Sequence, residues 1–419
     1  MERSIKQIYV SLEISENDLK ILVAEYFNTR FNVIKVLKKD TKGINDFKVS
    51  DKAGLKKDLK ELIDECSKSI NTKIENVILV LPAYNFKRIP LKSKVIPEKG
   101  YVTKNDIARS ISNALRTKVD YDIMTINAMP TKYTINDIST RRIPENEHCD
   151  EMIVDIDLLC ADRNMTYDYV SIVEECGVKV LDIVLNSYAI GKEASLFEES
   201  LKKNIICLDI QKSLTFLTLF SKGKIVSNEI VFDGLNTIIS DMKVNFDIPN
   251  DDLLKLIKYD INTESNYLDD IIYAYSSAGN TKTITTRQLN DICIKLVERV
   301  VDNLVGMCAP IIEQGASLFI TGEGQQMKYL VDRIKDKANC EVNCYYPETI
   351  GVRDSSLTAL FGSLVAYNEK AKLNDLNVTC IDLLKYDENI DQKEIDSEGE
   401  TITTKIKNLF KQYVDREEE

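Results

Sequence analysis

KQIYVSLEISENDLKILVAEY, residues 6–26, and NIICLDIQKSLTFLTLFSKGKI, residues 204–225, are built alike. Each is an apolar run, a short polar turn after an acid, and a second apolar run, a pattern that predicts strand, turn and strand. The acids are Glu13 and Asp209. A hairpin that occurs twice, with helical segments between, predicts an α/β chain of two related lobes facing one another. Two ordinary hairpins in unrelated domains fit the same strings.

Between the hairpins the character changes after the apolar strand Val77–Leu81 and Pro82. In TKNDIARSISNALRT, Thr103 is placed as an N-cap before apolar positions at helical spacing. YDIMTINAMPTKYTIND and DEMIVDIDLLCAD read as strands, and NMTYDYVSIVEECG as a helix with Gly177 suited to its C′ position. The segment reads as a compact α+β insert. After the second hairpin, LNTIISDMKVNF and the span Thr286–Gln314 are helical in pattern, and LFITGEGQQMKYLVDRIKD reads as strand, glycine turn and helix. SSLTALFGSLVAYNEK is a helix apolar on most faces, which predicts burial.

A chain of 419 residues is long enough for at least two cores. Its net charge of −12 repels a nucleic-acid backbone, so no nucleic-acid partner is expected. The ten cysteines are scattered, with Cys340 and Cys344 the only close pair, and His148 is the only histidine. That pattern points to reduced core residues rather than a zinc site, a disulfide scaffold or a histidine-dependent nucleophile. The opening MERSIKQIYVSLEI is charged where a signal peptide is apolar, and no apolar run approaches the ~20 residues of a membrane span. The expectation is a cytosolic chain.

The last stretch reads differently again. Residues 373–400 are expected to be an acidic linker, because KYDENIDQKEIDSEGE (385–400) carries too little apolar surface to offset its ordering entropy. Beyond it, Ile402, Ile406, Leu409, Phe410, Tyr413 and Val414 recur at offsets of 0, 4, 7, 8, 11 and 12, one stripe of a helix over 401–416. Lys405 and Lys407 flank it and Lys411 lies further round, so lysine stems can lie on acyl surface with the ammonium groups at anionic headgroups. The same stripe suits docking on the globular body or on a partner helix.

In order and spacing these blocks resemble FtsA, the bacterial cell-division member of the actin and Hsp70 superfamily. LEISENDLKILVAEY and LDIQKSLTFLTLF stand where that family has its phosphate hairpins, INAMPTKYTIND where it has an inserted-subdomain strand, and IVEECGVKVLDIVLNSYA where the chain returns from the insert. ITGEGQQMKYL resembles the adenosine turn, and the helix with Gly362 and the basic tail complete the set. The resemblance implies an actin-like two-lobe α/β fold with an inserted α+β (SHS2-like) subdomain and a C-terminal amphipathic helix. Subdomain 1A would comprise 1–82, 166–193 and 355–372, the insert 1C 83–165, 2A 194–234 with 308–354, and 2B 235–307. It also implies self-assembly, a hold on the C-terminal peptide of the tubulin-like FtsZ through 2B, and peripheral attachment to the inner face of the cell membrane at the division site. An actin-like ATPase and a PilM-like component of a pilus or secretion machine are the alternatives.

The turns depart from the family. It has Asp-Ile-Gly-Thr-Ser where this chain has Glu13-Ile14-Ser15-Glu16-Asn17, and Asp-Ile-Gly-Gly-Gly-Thr-Thr-Asp where this chain runs from Asp209 to Phe216. Glycines there let backbone N–H groups approach phosphate closely. Glu13, Ser15, Asp209, Lys212, Thr215, Gly322 and Gly324 are what remains of a nucleotide site by resemblance. A carboxylate such as Glu16, about 4 Å from a phosphate oxygen, costs roughly 4 kcal/mol at an effective dielectric near 20. Lys212 either offsets this on a phosphate or pairs with Glu16 across an empty cleft, and the second is expected. The expected cofactor is therefore none, or ATP with Mg²⁺ held weakly, with no catalytic residue, no metal ligand and no hydrolysis.

Overall fold

The computed structural model describes residues 6–261, 263, 267–277 and 280–388. In chain order the first lobe opens with β1 (Gln7–Ile14), β2 (Asp18–Phe27), β3 (Arg30–Asp40), α1 (Lys52–Ser69) and β4 (Asn76–Leu81). The insert follows with β5 (Lys87–Val95), α2 (Lys104–Leu115), β6 (Ile123–Ile135), β7 (Ile138–Thr140) and β8 (Met152–Asp162). The chain returns through α3 (Arg163–Glu175), β9 (Lys179–Leu185), α4 (Asn186–Glu193) and α5 (Leu196–Glu199). The second lobe has β10 (Ile205–Ile210), β11 (Thr215–Ser221), β12 (Lys224–Val231), α6 (Leu235–Lys243), α7 (Asn250–Tyr259), β13 (Ile271–Ser277), β14 (Asn280–Thr285), α8 (Thr286–Ile312), β15 (Ser317–Thr321), α9 (Lys328–Lys337) and β16 (Val342–Cys344). Finally, α10 (Thr358–Leu373) recrosses to the first lobe.

The two main sheets decide between related lobes and unrelated hairpins. The first runs β9-β4-β1-β2-β3 and the second β12-β11-β10-β15-β16. In each, the opening strand pairs antiparallel with its hairpin partner on one side and parallel with a later strand on the other. The third hairpin strand and the last parallel strand complete both sheets in the same sense. The same topology twice makes this a duplicated lobe, and the quoted strings are its equivalent openings. β1 and β10 are central and covered on both faces, so QIYVSLEI is buried from Ile8 onward and IICLDI throughout.

The insert is a four-stranded sheet, β5-β8-β6-β7, with its own core of Val102, Ile107, Ile123, Ile156 and Leu158. Thr103 caps α2 in a capping box: its Oγ1 accepts from Asp106 N (3.3 Å) while Asp106 Oδ2 accepts from Thr103 N (2.9 Å). Gly177 has φ +85°, the left-handed conformation foreseen at the end of α3. Asn127, in the middle of β6, fixes the insert to the first lobe. Its amide donates to Ile183 O (3.1 Å) and its carbonyl oxygen accepts from Leu185 N (3.0 Å), so one side chain imitates a strand neighbour of β9.

α10 is buried along most of its length, as its composition predicts. Gly362 allows its contact with α4, since a Cβ there would lie 2.1 Å from Ala189 O. The linker expected from residue 373 does not begin there. Gln7 Nε2 donates to Leu376 O (3.5 Å), Cys380 N to Ile8 O (2.7 Å), and both Glu75 N and Asn76 N to Cys380 O (3.0 and 3.1 Å). Cys380 and Tyr386 are buried, and Lys6 pairs with Asp387 at 2.8 Å. Acidic composition concealed three apolar anchors, Cys380, Ile381 and Tyr386, that close the base of the first sheet. The helix expected over 401–416, with Ile402, Lys405, Ile406, Lys407, Leu409, Phe410, Lys411, Tyr413 and Val414, lies outside the described residues, as do linker residues 389–400. Among the described residues no helix is long and apolar enough to cross a membrane.

Candidate functional site

The duplicated hairpins point their turns at one another across the cleft between the lobes. Both turns are built without positive φ, so neither requires glycine. Their leading N–H groups are used internally: Ser15 N donates to Asp18 O (3.0 Å) and Gln211 N to Leu214 O (2.9 Å). Glu13, Ser15, Asp209, Lys212 and Gly322 line the same small cavity. Two of the expected residues do not. The Thr215 hydroxyl donates to Asp233 O at 2.7 Å, and Gly324 packs on Ile210, where a Cβ would meet Cγ2 at 2.3 Å. Gly322 (φ +83°) is needed at the turn after β15, because a side chain there would meet Asp209 Oδ1 and Ile210 O, each at 2.5 Å.

The centre of the site is Lys20, a residue sequence reasoning passed over. It is paired across the strands with Glu13 in the β1–β2 register, and its ammonium lies 3.2 Å from Glu13 Oε2 and 3.7 Å from Asp18 Oδ1. All three side chains are buried. The signal was available: Glu13, Asp18 and Lys20 are charged positions in otherwise apolar strands, symmetric about the turn. Burial pushes the Glu13 carboxyl upward, against the pull of Lys20. At Asp18 burial acts the same way but Lys20 and Lys212 outweigh it, so its carboxyl is held below the usual range. Asp209 is pushed upward by burial, with Gln211 Nε2 donating to it at 2.8 Å. Desolvation disfavours the Lys20 ammonium, yet Asp18 and Glu13 hold it protonated. Glu13 and Asp209 thus answer side-chain donors rather than capping local N–H groups.

Lys212 does not pair with Glu16. Asp18 and Asp40 stand opposite one another on β2 and β3, a like-charge pair, and the Lys212 ammonium enters from the other lobe at 2.7 Å from Asp40 and 3.5 Å from Asp18. Glu16 turns away because a backbone donor is nearer, accepting from Phe47 N at 2.9 Å. Beside the clamp, the Ser213 hydroxyl donates to Asn17 Oδ1 and itself accepts from Asn236 Nδ2 (3.0 Å). At the outer wall Lys258 pairs with Glu323 (3.0 Å), and Lys38 donates to Asp354 (2.7 Å) and Ser356 (2.6 Å). The space left among these groups is about 20 Å³, room for roughly one water. Among the described residues no cluster of His, Cys, Asp or Glu is arranged to hold a metal ion.

No family model matches the chain. It is 21% identical over 402 residues to the cell division protein FtsA of Staphylococcus epidermidis, spanning 93% of this chain and 85% of that one. To FtsA of Enterococcus hirae it is 20% identical over 441 aligned positions, 97% of this chain and 99% of that one. Among solved structures, a chain of the PilM–PilN type IV pilus biogenesis complex superposes with a TM-score of 0.57 at 14% identity, covering 85% of this chain and 97% of that chain. That likeness concerns the fold. With the duplicated lobes, the insert between them and these end-to-end relatives, the chain is a divergent FtsA-type actin-like protein.

Proposed function

We propose that this chain is an FtsA-like membrane tether and scaffold for an FtsZ-type polymer in cell division, self-assembling, and operating without nucleotide turnover. The observation that carries the last clause is the cleft. Its two cations, Lys20 and Lys212, already answer Glu13, Asp18 and Asp40, and the free space is about 20 Å³. A triphosphate does not fit this arrangement. It would have to displace those carboxylates while facing the buried acids, at roughly 4 kcal/mol for each like charge about 4 Å away. The Lys212 clamp does from within the chain what a nucleotide does between two lobes, namely bridge them.

The tethering clause is supported by the near full-length likeness to cell-division FtsA proteins and by the basic amphipathic stripe of 402–414. One lysine near an anionic surface contributes on the order of 1 kcal/mol, and Glu417, Glu418 and Glu419 oppose Lys405, Lys407 and Lys411. A single copy therefore binds weakly, and assembly multiplies the anchors by raising effective concentration. Co-sedimentation with phosphatidylglycerol vesicles, comparing the full chain with a truncation before Thr401, tests this: pelleting should be lost with the tail, and equal pelleting sinks the tether. Saturable binding of labelled ATP with Mg²⁺ that is lost in Lys212→Ala would return the ATPase alternative to first place.

A further inference from the structure

A second concavity, far roomier than the cleft, is a groove beneath the insert with a volume of about 740 Å³. This lies within the range of roughly 300–1,000 Å³ typical of ligand sites. α2 and β6 of the insert form one wall, and α4, α5 and the end of α10 form the other. Its rim is apolar and open, with Leu115 45% exposed, Ile143 48% and Leu201 47%. Asn127 fixes its width by tying β6 to β9.

We propose that this groove is the resting site of the chain's own residues 402–414, with the apolar stripe on the groove floor, and that docking there competes with the membrane. The competition, though not the docking, rests on the tethering role proposed above. The groove and the tail are complementary in three respects. The groove offers unpartnered apolar wall, and the tail carries a stripe that must bury somewhere. Of the charged groups lining the groove, Asp182 pairs with Lys370 and Glu369 with Lys192, Glu198 is the remaining acid, and among the described residues neither the Arg141 nor the Arg142 guanidinium is paired with a carboxylate. The stripe is followed at once by Asp415, Glu417, Glu418 and Glu419, a run that is unfavourable at an anionic bilayer and favourable beside two arginines.

Reach is the third respect. Asp387 is held to Lys6, the neighbouring Gln7 bonds Leu376 and Asn377, and Leu373, three residues earlier, is part of the groove wall. The described chain thus stops close to the groove's own end of the first lobe. Residues 389–401 then supply an extended span of up to ~45 Å.

The test uses the full chain without lipid, with p-benzoylphenylalanine in place of Ile143 and mass-spectrometric mapping of photocrosslinks in a mixture of isotopically light and heavy chains. Crosslinks should fall on residues 402–414 of the same chain and be lost on adding Leu201→Glu or the pair Ile406→Glu and Phe410→Glu. No crosslink to 402–414 overturns the docking. Crosslinks between light and heavy chains overturn it in favour of a second copy. Leu201→Glu alone should bind phosphatidylglycerol vesicles several-fold more tightly than the unaltered chain, and unchanged affinity overturns the competition. A failed tether shows itself separately, as equal pelleting of the full chain and the truncation, and leaves the lipid-free crosslink standing.

Discussion

The cleft between the lobes and the groove beneath the insert are both walled by the first lobe, yet one encloses about 20 Å³ and the other about 740 Å³. The cleft is lined by charged groups that satisfy each other across the two lobes, while the groove has a mixed lining whose rim includes the half-exposed Leu115, Ile143 and Leu201. The cleft's chemistry is that of an ion-pair network that reaches from one lobe to the other through Lys212.

Breaking the network at its centre should have the largest effect. Lys20→Met leaves Glu13 a buried charge without its partner and removes one of the two cations beside Asp18, and should cost about 3–5 kcal/mol, read as a lowered urea midpoint. Adding Glu13→Gln should return part of that loss, because the remaining carboxylate Asp18 still has Lys212. The groove should be untouched in both variants.

A second variant lies at the end of α4. Glu193 ends α4, whose Tyr188 and Lys192 wall the groove, and it accepts from the Tyr345 hydroxyl of the second lobe at 3.1 Å. Burial raises its carboxyl to about 7, with the Tyr345 hydrogen bond acting against and Glu348 adding to the rise. Between the ordinary carboxylate range and pH 7 the folded chain keeps a proton that the unfolded chain releases, so stability falls as pH rises through that window. The loss is complete above about pH 7. Glu193→Gln should remove this slope and stabilise the chain at pH 8 by up to roughly 3 kcal/mol, less to the extent that water screens the site. Thermal melts of both chains at pH 5 and pH 8 measure it. The smallest effect belongs to Lys212→Ala. Its ammonium is partly exposed, so stability should fall by about 1 kcal/mol or less. The loss of the clamp should instead appear as faster hydrogen exchange at the Ser15–Asp18 turn.

Much of the fold was legible because periodicity reports burial. The apolar openings of the two hairpins, the Thr103 capping box, Gly177 and the glycine turn at Gly322 were each readable from spacing and residue type. The partners within the cleft were not. Lys212 faces Asp40 because β3 pairs with β2 in a particular register, and Glu16 leaves because Phe47 offers a backbone donor 31 positions away. Neither contact has a local signature. Lys20 is different in kind, since its symmetry with Glu13 about the turn is visible in the sequence itself. The groove was illegible for a further reason: its walls come from α2, α5 and α10, which are distant in sequence and meet only after the insert docks through Asn127.

The stitching of residues 376–387 to the starts of β1 and β4 bears on mechanics. Any pull on the residues beyond Glu388 enters the body at Cys380 and Asp387, at the base of the first sheet, and runs lengthwise along β1 and β4. Backbone pairs loaded along the strand must shear together, whereas pairs loaded across it open one at a time. Under the tethering role proposed above, an assembly held by many such segments would transmit its load through the first lobe. The second lobe, packed on the first through Phe47 and Phe216 as well as the Lys212 clamp and the Glu193–Tyr345 contact, lies beside that line of force.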